Sequence, residues 1–135
     1  MKRFNRWMIV PATAAALVSM TGVAFSQTVV QTPLQSATTV SLTSGGAQSS
    51  CGNFGNEALS LRITESFASV TVRVENPSAD TTLYITGPNN FTECKRPNTQ
   101  GVVEAPGVLN QGTYTVYVGD RAGNSQVHTV SVSQN

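Results

Sequence analysis

The chain is poor in the side chains that most chemistry needs. Only 11% of its 135 residues are charged, one is a histidine and two are cysteines. The lone histidine, His128, excludes a multi-histidine metal centre and could act as base for at most one serine. No serine sits in a Gly-x-Ser-x-Gly elbow, the turn that presents a nucleophile in many hydrolases. His128 keeps phase with Val130 and Val132, which reads as a half-buried strand position. Two isolated cysteines, Cys51 and Cys94, lack the close pairing of zinc ligands. The acidic residues are scattered, without the two carboxylates across a cleft that glycoside hydrolysis requires. Beyond residue 26 no segment sustains a 3.6-residue apolar period, so a helical domain is excluded.

Residues 1–26 have the layout of an export signal. Lys2, Arg3 and Arg6 form a positive start, Trp7 to Val23 carry no charge, and Ala24-Phe25-Ser26 place small residues where signal peptidase cuts. The uncharged stretch contains Pro11, Thr13, Ser19, Thr21 and Gly22, a poor composition for a membrane span. The expectation is a secreted or periplasmic protein beginning near Gln27, with no span after cleavage. Removing this segment leaves Arg62, Arg73, Lys95, Arg96 and Arg121 against Glu57, Glu65, Glu75, Asp80, Glu93, Glu104 and Asp120, five bases against seven acids and a formal charge of −2. With no basic patch there is little counterion release to gain on phosphates, which excludes nucleic acid as a partner.

About 109 residues suffice for one domain. An exported chain meets an oxidising compartment, so Cys51 and Cys94 are expected to form a disulfide. Neither cysteine falls in a clearly alternating segment, which places the bond between the N-terminal region and a loop. Residues 27–50 are uncharged and rich in Thr, Ser, Gln and Val. They read as a polar leader with one strand over Thr38 to Thr43, broken at Gly45-Gly46. Residues 51–135 read as the domain.

Period-two alternation then dominates. Leu59, Leu61 and Ile63 alternate with Ser60, Arg62 and Thr64, and Val70, Val72 and Val74 with Thr71, Arg73 and Glu75. Leu83/Ile85, Tyr114/Val116/Val118 and His128/Val130/Val132 repeat the pattern, and Val102 to Ala105 is a weaker strand. Successive strand side chains point to opposite faces, so each segment has one face for a core and one for water. Asn76-Pro77-Ser78, Gly87-Pro88-Asn89-Asn90, Pro106-Gly107, Asn110-Gln111-Gly112 and residues 119–124 supply turn chemistry between them. Short strands at this spacing predict an all-β, antiparallel β-sandwich, jelly-roll-like, with one disulfide.

The run from Asp80 to Pro88 (DTTLYITGP), then Cys94, then Gly112 to Gly119 (GTYTVYVG), resembles the bacterial pre-peptidase C-terminal domain over roughly residues 57–133. That resemblance implies a β-sandwich serving as a non-catalytic accessory module of secreted proteins. Related modules often carry acidic residues after the cysteine; here Lys95-Arg96-Pro97 stand there.

Three sets of residues remain as candidates. Asp80 and Asp120 lie in loops with Asn76, Ser78 and Asn124, oxygen-bearing surroundings of the kind calcium uses, although the spacing matches no loop motif. Asn90-Phe91-Thr92 fits a glycosylation sequon but reads as an ordinary turn. Tyr84 and Tyr117 are out of phase with the aliphatic faces of their strands and would point away from the core, where they either stack against a ligand such as a sugar or cover a second face. The reading is a monomeric, non-catalytic binding or accessory module, with no cofactor and with a protein or carbohydrate partner. The alternative is a structural subunit of a surface assembly that adds residues 27–43 as a strand to a neighbour. A secreted hydrolase has the least support.

Overall fold

A computed structural model describes residues 27–135, and the export segment expected over residues 1–26 lies outside them. The strands are β1 (Gln27–Gln31), β2 (Thr38–Ser49), β3 (Gly52–Phe54), β4 (Ala58–Val74), β5 (Thr81–Thr86), β6 (Thr92–Lys95), β7 (Val103–Asp120) and β8 (Val127–Gln134). They form one sheet in the order β1-β4-β8-β2-β3-β7-β5-β6, with β4 also paired to β7. That extra pairing closes β4, β8, β2, β3 and β7 into a five-strand ring. All pairs are antiparallel except β1 with β4.

The all-β, antiparallel expectation holds, but the two separate sheets of a jelly-roll-like sandwich do not appear. What replaces them is the length of β4 and β7. The first part of β4 lies between β1 and the second part of β7, and Val70 to Val74 lie between the first part of β7 and β8. A register shift between Ile63 and Phe67 marks the bend. The segments read as separate strands at 59–64 and 70–75 are therefore one strand, and irregular pairing of this kind is how a sheet turns a corner.

Pro106-Gly107 and Asn110-Gln111-Gly112 likewise fall inside β7, although their chemistry suggests turns. Pro106 stands opposite Thr71. Among the described residues no strand pairs with the other edge of β7 here, because β5 joins only from Thr115 onward. A residue without an N–H is tolerated where the strand has a free edge.

Residues 27–50 contribute β1 and β2 to this sheet. Val30 is buried, and Thr38 to Thr43 pair with Val132 to Val127. Gly45 and Gly46 have positive φ, 84° and 129°, at the register shift between Ser44 and Ala47, so they bend β2 without ending it. Between β1 and β2, Thr32 is 1% exposed and ties the segment to β4. The Thr64 N–H donates to Thr32 Oγ1 at 3.0 Å, Thr64 Oγ1 donates to the Thr32 carbonyl at 2.7 Å, and Thr32 Oγ1 donates to Glu65. Gln134 Nε2 also donates to Glu65, at 2.6 Å. Those donors, Thr32 first and then Gln134, hold the Glu65 carboxyl below the usual carboxylate range.

The core is the aliphatic set that alternation marks. Leu59, Leu61, Leu83, Val116, Val130 and Val132 are each fully buried. Each such side chain contributes about 1.5–3 kcal/mol by leaving water, an upper estimate because unfolded chains are already partly compact.

Candidate binding surface

The surface in question is the outer side of β3, β7, β5 and β6, opposite the core. Leu83 and Ile85 point inward on β5, so Thr82, Tyr84 and Thr86 point outward; on β7, Thr113, Thr115, Tyr117 and Gly119 do the same. Register brings Tyr84 directly opposite Tyr117, and Cys94 opposite Tyr84. The two tyrosines singled out from sequence are thus cross-strand neighbours, with ring centroids 6.1 Å apart.

A third ring, missed from the sequence, organises them. Phe54 stacks on Tyr84 and on Tyr117, each at 5.1 Å, with interplanar angles of 12° and 20°. It reaches them over Gly119, its partner across β3–β7. A Cβ at Gly119 would sit 2.9 Å from the Phe54 ring and 2.6 Å from Thr82 Oγ1, so only glycine leaves room. Phe54 lies in Gly52-Asn53-Phe54-Gly55, where no alternation identifies it; its one signal was the glycine that faces it.

The disulfide joins Cys51 to Cys94 as expected. Cys94 is not in a loop, however, but in the edge strand β6. Cys51 is buried at the β2–β3 turn, and its carbonyl accepts a hydrogen bond from Thr82 Oγ1. The bond therefore ties the turn that carries Phe54 to the far side of β5 and braces the aromatic group. The bond runs from buried Cys51 to exposed Cys94 on the edge strand, and neither residue belongs to the aliphatic core cluster.

Beside the rings runs a row of hydroxyls. Ser60, Thr115, Thr86 and Thr92 lie directly opposite one another across β4, β7, β5 and β6. Neighbouring strands are about 4.8 Å apart, so the row spans about 14 Å. Among the described residues none of these four hydroxyls, nor those of Tyr84 and Tyr117, has a protein hydrogen-bond partner, whereas Thr32, Thr43, Ser44, Thr64 and Thr82 are all bonded internally. Ser60 is the most enclosed, at 6% exposed.

The other candidates are used differently. Asp80 pairs with Arg121 at 3.6 Å. Asp120 is buried and folds the turn after β7, its Oδ1 accepting from the Ala122 N–H at 2.8 Å and the Asn124 N–H at 3.3 Å. Among the described residues no three His, Cys, Asp or Glu side chains gather as a metal site. His128 is 3% exposed and lies 3.2 Å through Nδ1 from the Asn76 carbonyl; that oxygen can only accept, so Nδ1 carries the proton, and the enclosed Nε2 has no partner among the described residues. Asn89 and Asn90 have φ of 58° and 62°, a left-handed pair that turns the chain between β5 and β6. A crevice of about 130 Å³ opens along the free edge of β7, lined by Ile85, Phe91, Glu93 and Pro106 to Leu109.

No family model matches this chain, and no curated protein matches its sequence. Solved structures match its fold. The pre-peptidase C-terminal domain of a Bacillus anthracis collagenase aligns with a TM-score of 0.57 at 15% identity, covering 83% of this chain and 99% of that one. Aeromonas hydrophila PliG, a periplasmic inhibitor of g-type lysozyme, aligns with a TM-score of 0.54 at 17% identity, covering 83% and 100%. The chain has a pre-peptidase C-terminal-like fold.

Within this pre-peptidase C-terminal-like fold, the sequence motifs that suggested it touch one another. A Cβ on Gly87 would lie 2.3 Å from the Tyr114 ring, and one on Gly112 would lie 2.9 Å from Pro88. Tyr114, 2% exposed, donates from its hydroxyl to the Asn110 carbonyl at 3.0 Å and meets the Phe91 ring edge-on at 5.3 Å. Burial pushes its phenol up from the ordinary tyrosine value. Gly-Pro at the end of β5 and Gly-Thr-Tyr within β7 are thus two sides of one contact. No helix among the described residues is long and apolar enough to cross a membrane.

Proposed function

We propose that this is an exported, monomeric, non-catalytic binding module that meets its partner through the outer face of β3, β7, β5 and β6. The observation that carries the reading is the paired phenols of Tyr84 and Tyr117, braced by Phe54 and the disulfide, beside a row of unbonded hydroxyls. A rigid sheet presenting partly exposed aromatic rings gives contact area at little cost in side-chain entropy. The enclosure of His128 supports a non-catalytic role, because a general base must reach a substrate proton. One solved neighbour is a domain of a collagenase and the other an inhibitor of a lysozyme, which supports a module working beside or against enzymes. The signal-like residues 1–26 support secretion or a periplasmic location.

The test is hydrogen exchange on the oxidised protein, with and without the culture-fluid fraction that co-purifies with it. Protection is expected in peptides covering 82–95 and 112–119. Protection confined to other strands would overturn the surface, and substrate turnover lost in His128→Ala would overturn the non-catalytic reading.

The second reading, a structural subunit joined by strand addition, is favoured by the unpaired edge of β7 before Thr115. Its proposed donor, residues 27–43, is already engaged by β4 and β8 of the same chain. Sedimentation of the intact protein separates the two, since a monomer supports the first and a concentration-dependent polymer the second.

A further inference from the structure

We infer that the aromatic and hydroxyl face binds an uncharged polysaccharide, lying across the strands along Thr115, Thr86 and Thr92, with Ser60 buried at the β4 end of the row. This deepens the proposed function and rests on the same surface. Charge is the first argument. The positions that make up the patch, this row together with Tyr117, Tyr84 and Cys94, carry no charged side chain. The nearest charges on β6, Glu93 and Lys95, alternate to the other side and pair with each other at 3.3 Å. One charge borders the patch: Arg62, exposed on the same side of β4, opposite Thr113 and two residues along from Ser60. A cationic ligand would lose hydration here with nothing of opposite sign to meet it, and an anionic one would meet a single guanidinium beyond the β4 end of the row. A neutral one loses much less.

Hydrogen-bond chemistry is the second argument. A hydroxyl both donates and accepts, so a row of threonines with no internal partner matches a ligand whose own polar groups are hydroxyls. The outer surface of β2 and β8 is also rich in Ser and Thr, with Ser41 opposite Thr129 and Thr39 opposite Ser131, but these positions carry no aromatic ring. Only the β7–β5 face sets apolar rings beside the hydroxyls. Sugars present the same two surfaces, C–H faces that pack on rings and hydroxyls at the rim. The length of the row favours a polymer over a single sugar.

The experiment is depletion of the oxidised protein by insoluble cellulose and by chitin, with alginate beads as the polyanionic control. Binding to a neutral polymer is expected, unchanged between low and high salt because no ion pair is involved. Tyr117→Ala should weaken it about tenfold, the scale of one lost aromatic contact. Tyr117→Phe and the near-isosteric Thr86→Val and Thr115→Val variants should each weaken it severalfold, with melting temperatures within a few degrees of wild type. They keep the test usable if Tyr117→Ala unsettles Phe54. Salt-sensitive binding to alginate alone would overturn the inference. Failure of both neutral polymers would overturn it too; if Tyr117→Phe then still weakened a co-purifying protein partner, the surface would stand and only the ligand class would fall. If the variants changed no binding at all, both readings would fall.

Discussion

Replacing Gly87 by alanine should cost about 2–4 kcal/mol, although the change adds one methyl group and the backbone permits it. The new Cβ would lie 2.3 Å from Tyr114 Cδ2 and 2.5 Å from Cε2, far inside the 3.5–4.0 Å of ordinary carbon contact. Tyr114 is buried and cannot move freely. Displacing it strains the core by about 1–3 kcal/mol. It also gives up the hydrogen bond to the Asn110 carbonyl, worth about 1 kcal/mol, and loosens the edge contact with Phe91, worth about 0.5–1.5 kcal/mol. The smaller entropy of the unfolded alanine chain returns about 0.4–1 kcal/mol. At about 4–8 °C per kcal/mol for a domain near this size, Tm should fall by about 8–32 °C. Urea denaturation followed by circular dichroism measures the loss, with an unchanged m-value showing that the cost is in stability. The decisive control is the same substitution in a Tyr114→Ala background, where the clash is gone and Gly87→Ala should be neutral or slightly stabilising. A loss below about 0.5 kcal/mol in the native background, or an equal loss in both backgrounds, would refute the contact as the reason for the glycine.

The Cys51→Ala/Cys94→Ala variant should still fold but be less stable by at most about 4 kcal/mol, the chain-entropy value for residues 43 apart, since neither residue belongs to the aliphatic core cluster. Free thiols in the exported protein would refute the pairing, and complete loss of β structure in the variant would refute the peripheral placement. Glu65 supplies a pH dependence. Its folded pKa is lowered by hydrogen bonds from Thr32 and Gln134, so its contribution is present above the unfolded value and lost as pH falls through the folded one. Glu65→Gln should flatten the fall in urea midpoint between neutral and acid pH, and an identical pH profile would contradict the clamp on β1. His128→Leu should be neutral or stabilising by about 1 kcal/mol, because it removes an enclosed, unpaired nitrogen while Asn76, which is exposed, can bond to water. A loss above about 2 kcal/mol by thermal melting would mean that Nε2 has a partner.

Alternation alone determined which side of each strand is core. Leu59, Leu61, Val116, Val118, Val130 and Val132 are buried as their spacing required, because side-chain direction along a strand depends only on parity within that strand. The pairing of Cys51 with Cys94 was legible by count, and the outward placement of Tyr84 and Tyr117 by phase. The architecture was not. Nothing local distinguishes two strands at 59–64 and 70–75 from one strand with a shifted register, and Pro106-Gly107 carries the chemistry of a turn wherever it occurs. It sits inside β7 where no strand among the described residues lies on that edge, a fact about a distant part of the chain. Phe54 is the same case at the candidate surface. Its position over Gly119 and against both tyrosines comes from the closure of the ring through β3 and from the disulfide to β6. Periodicity is a property of neighbours in sequence; ring closure and cross-strand register come from pairings whose loop entropy is offset only when the whole sheet forms, so the tertiary structure alone decided them.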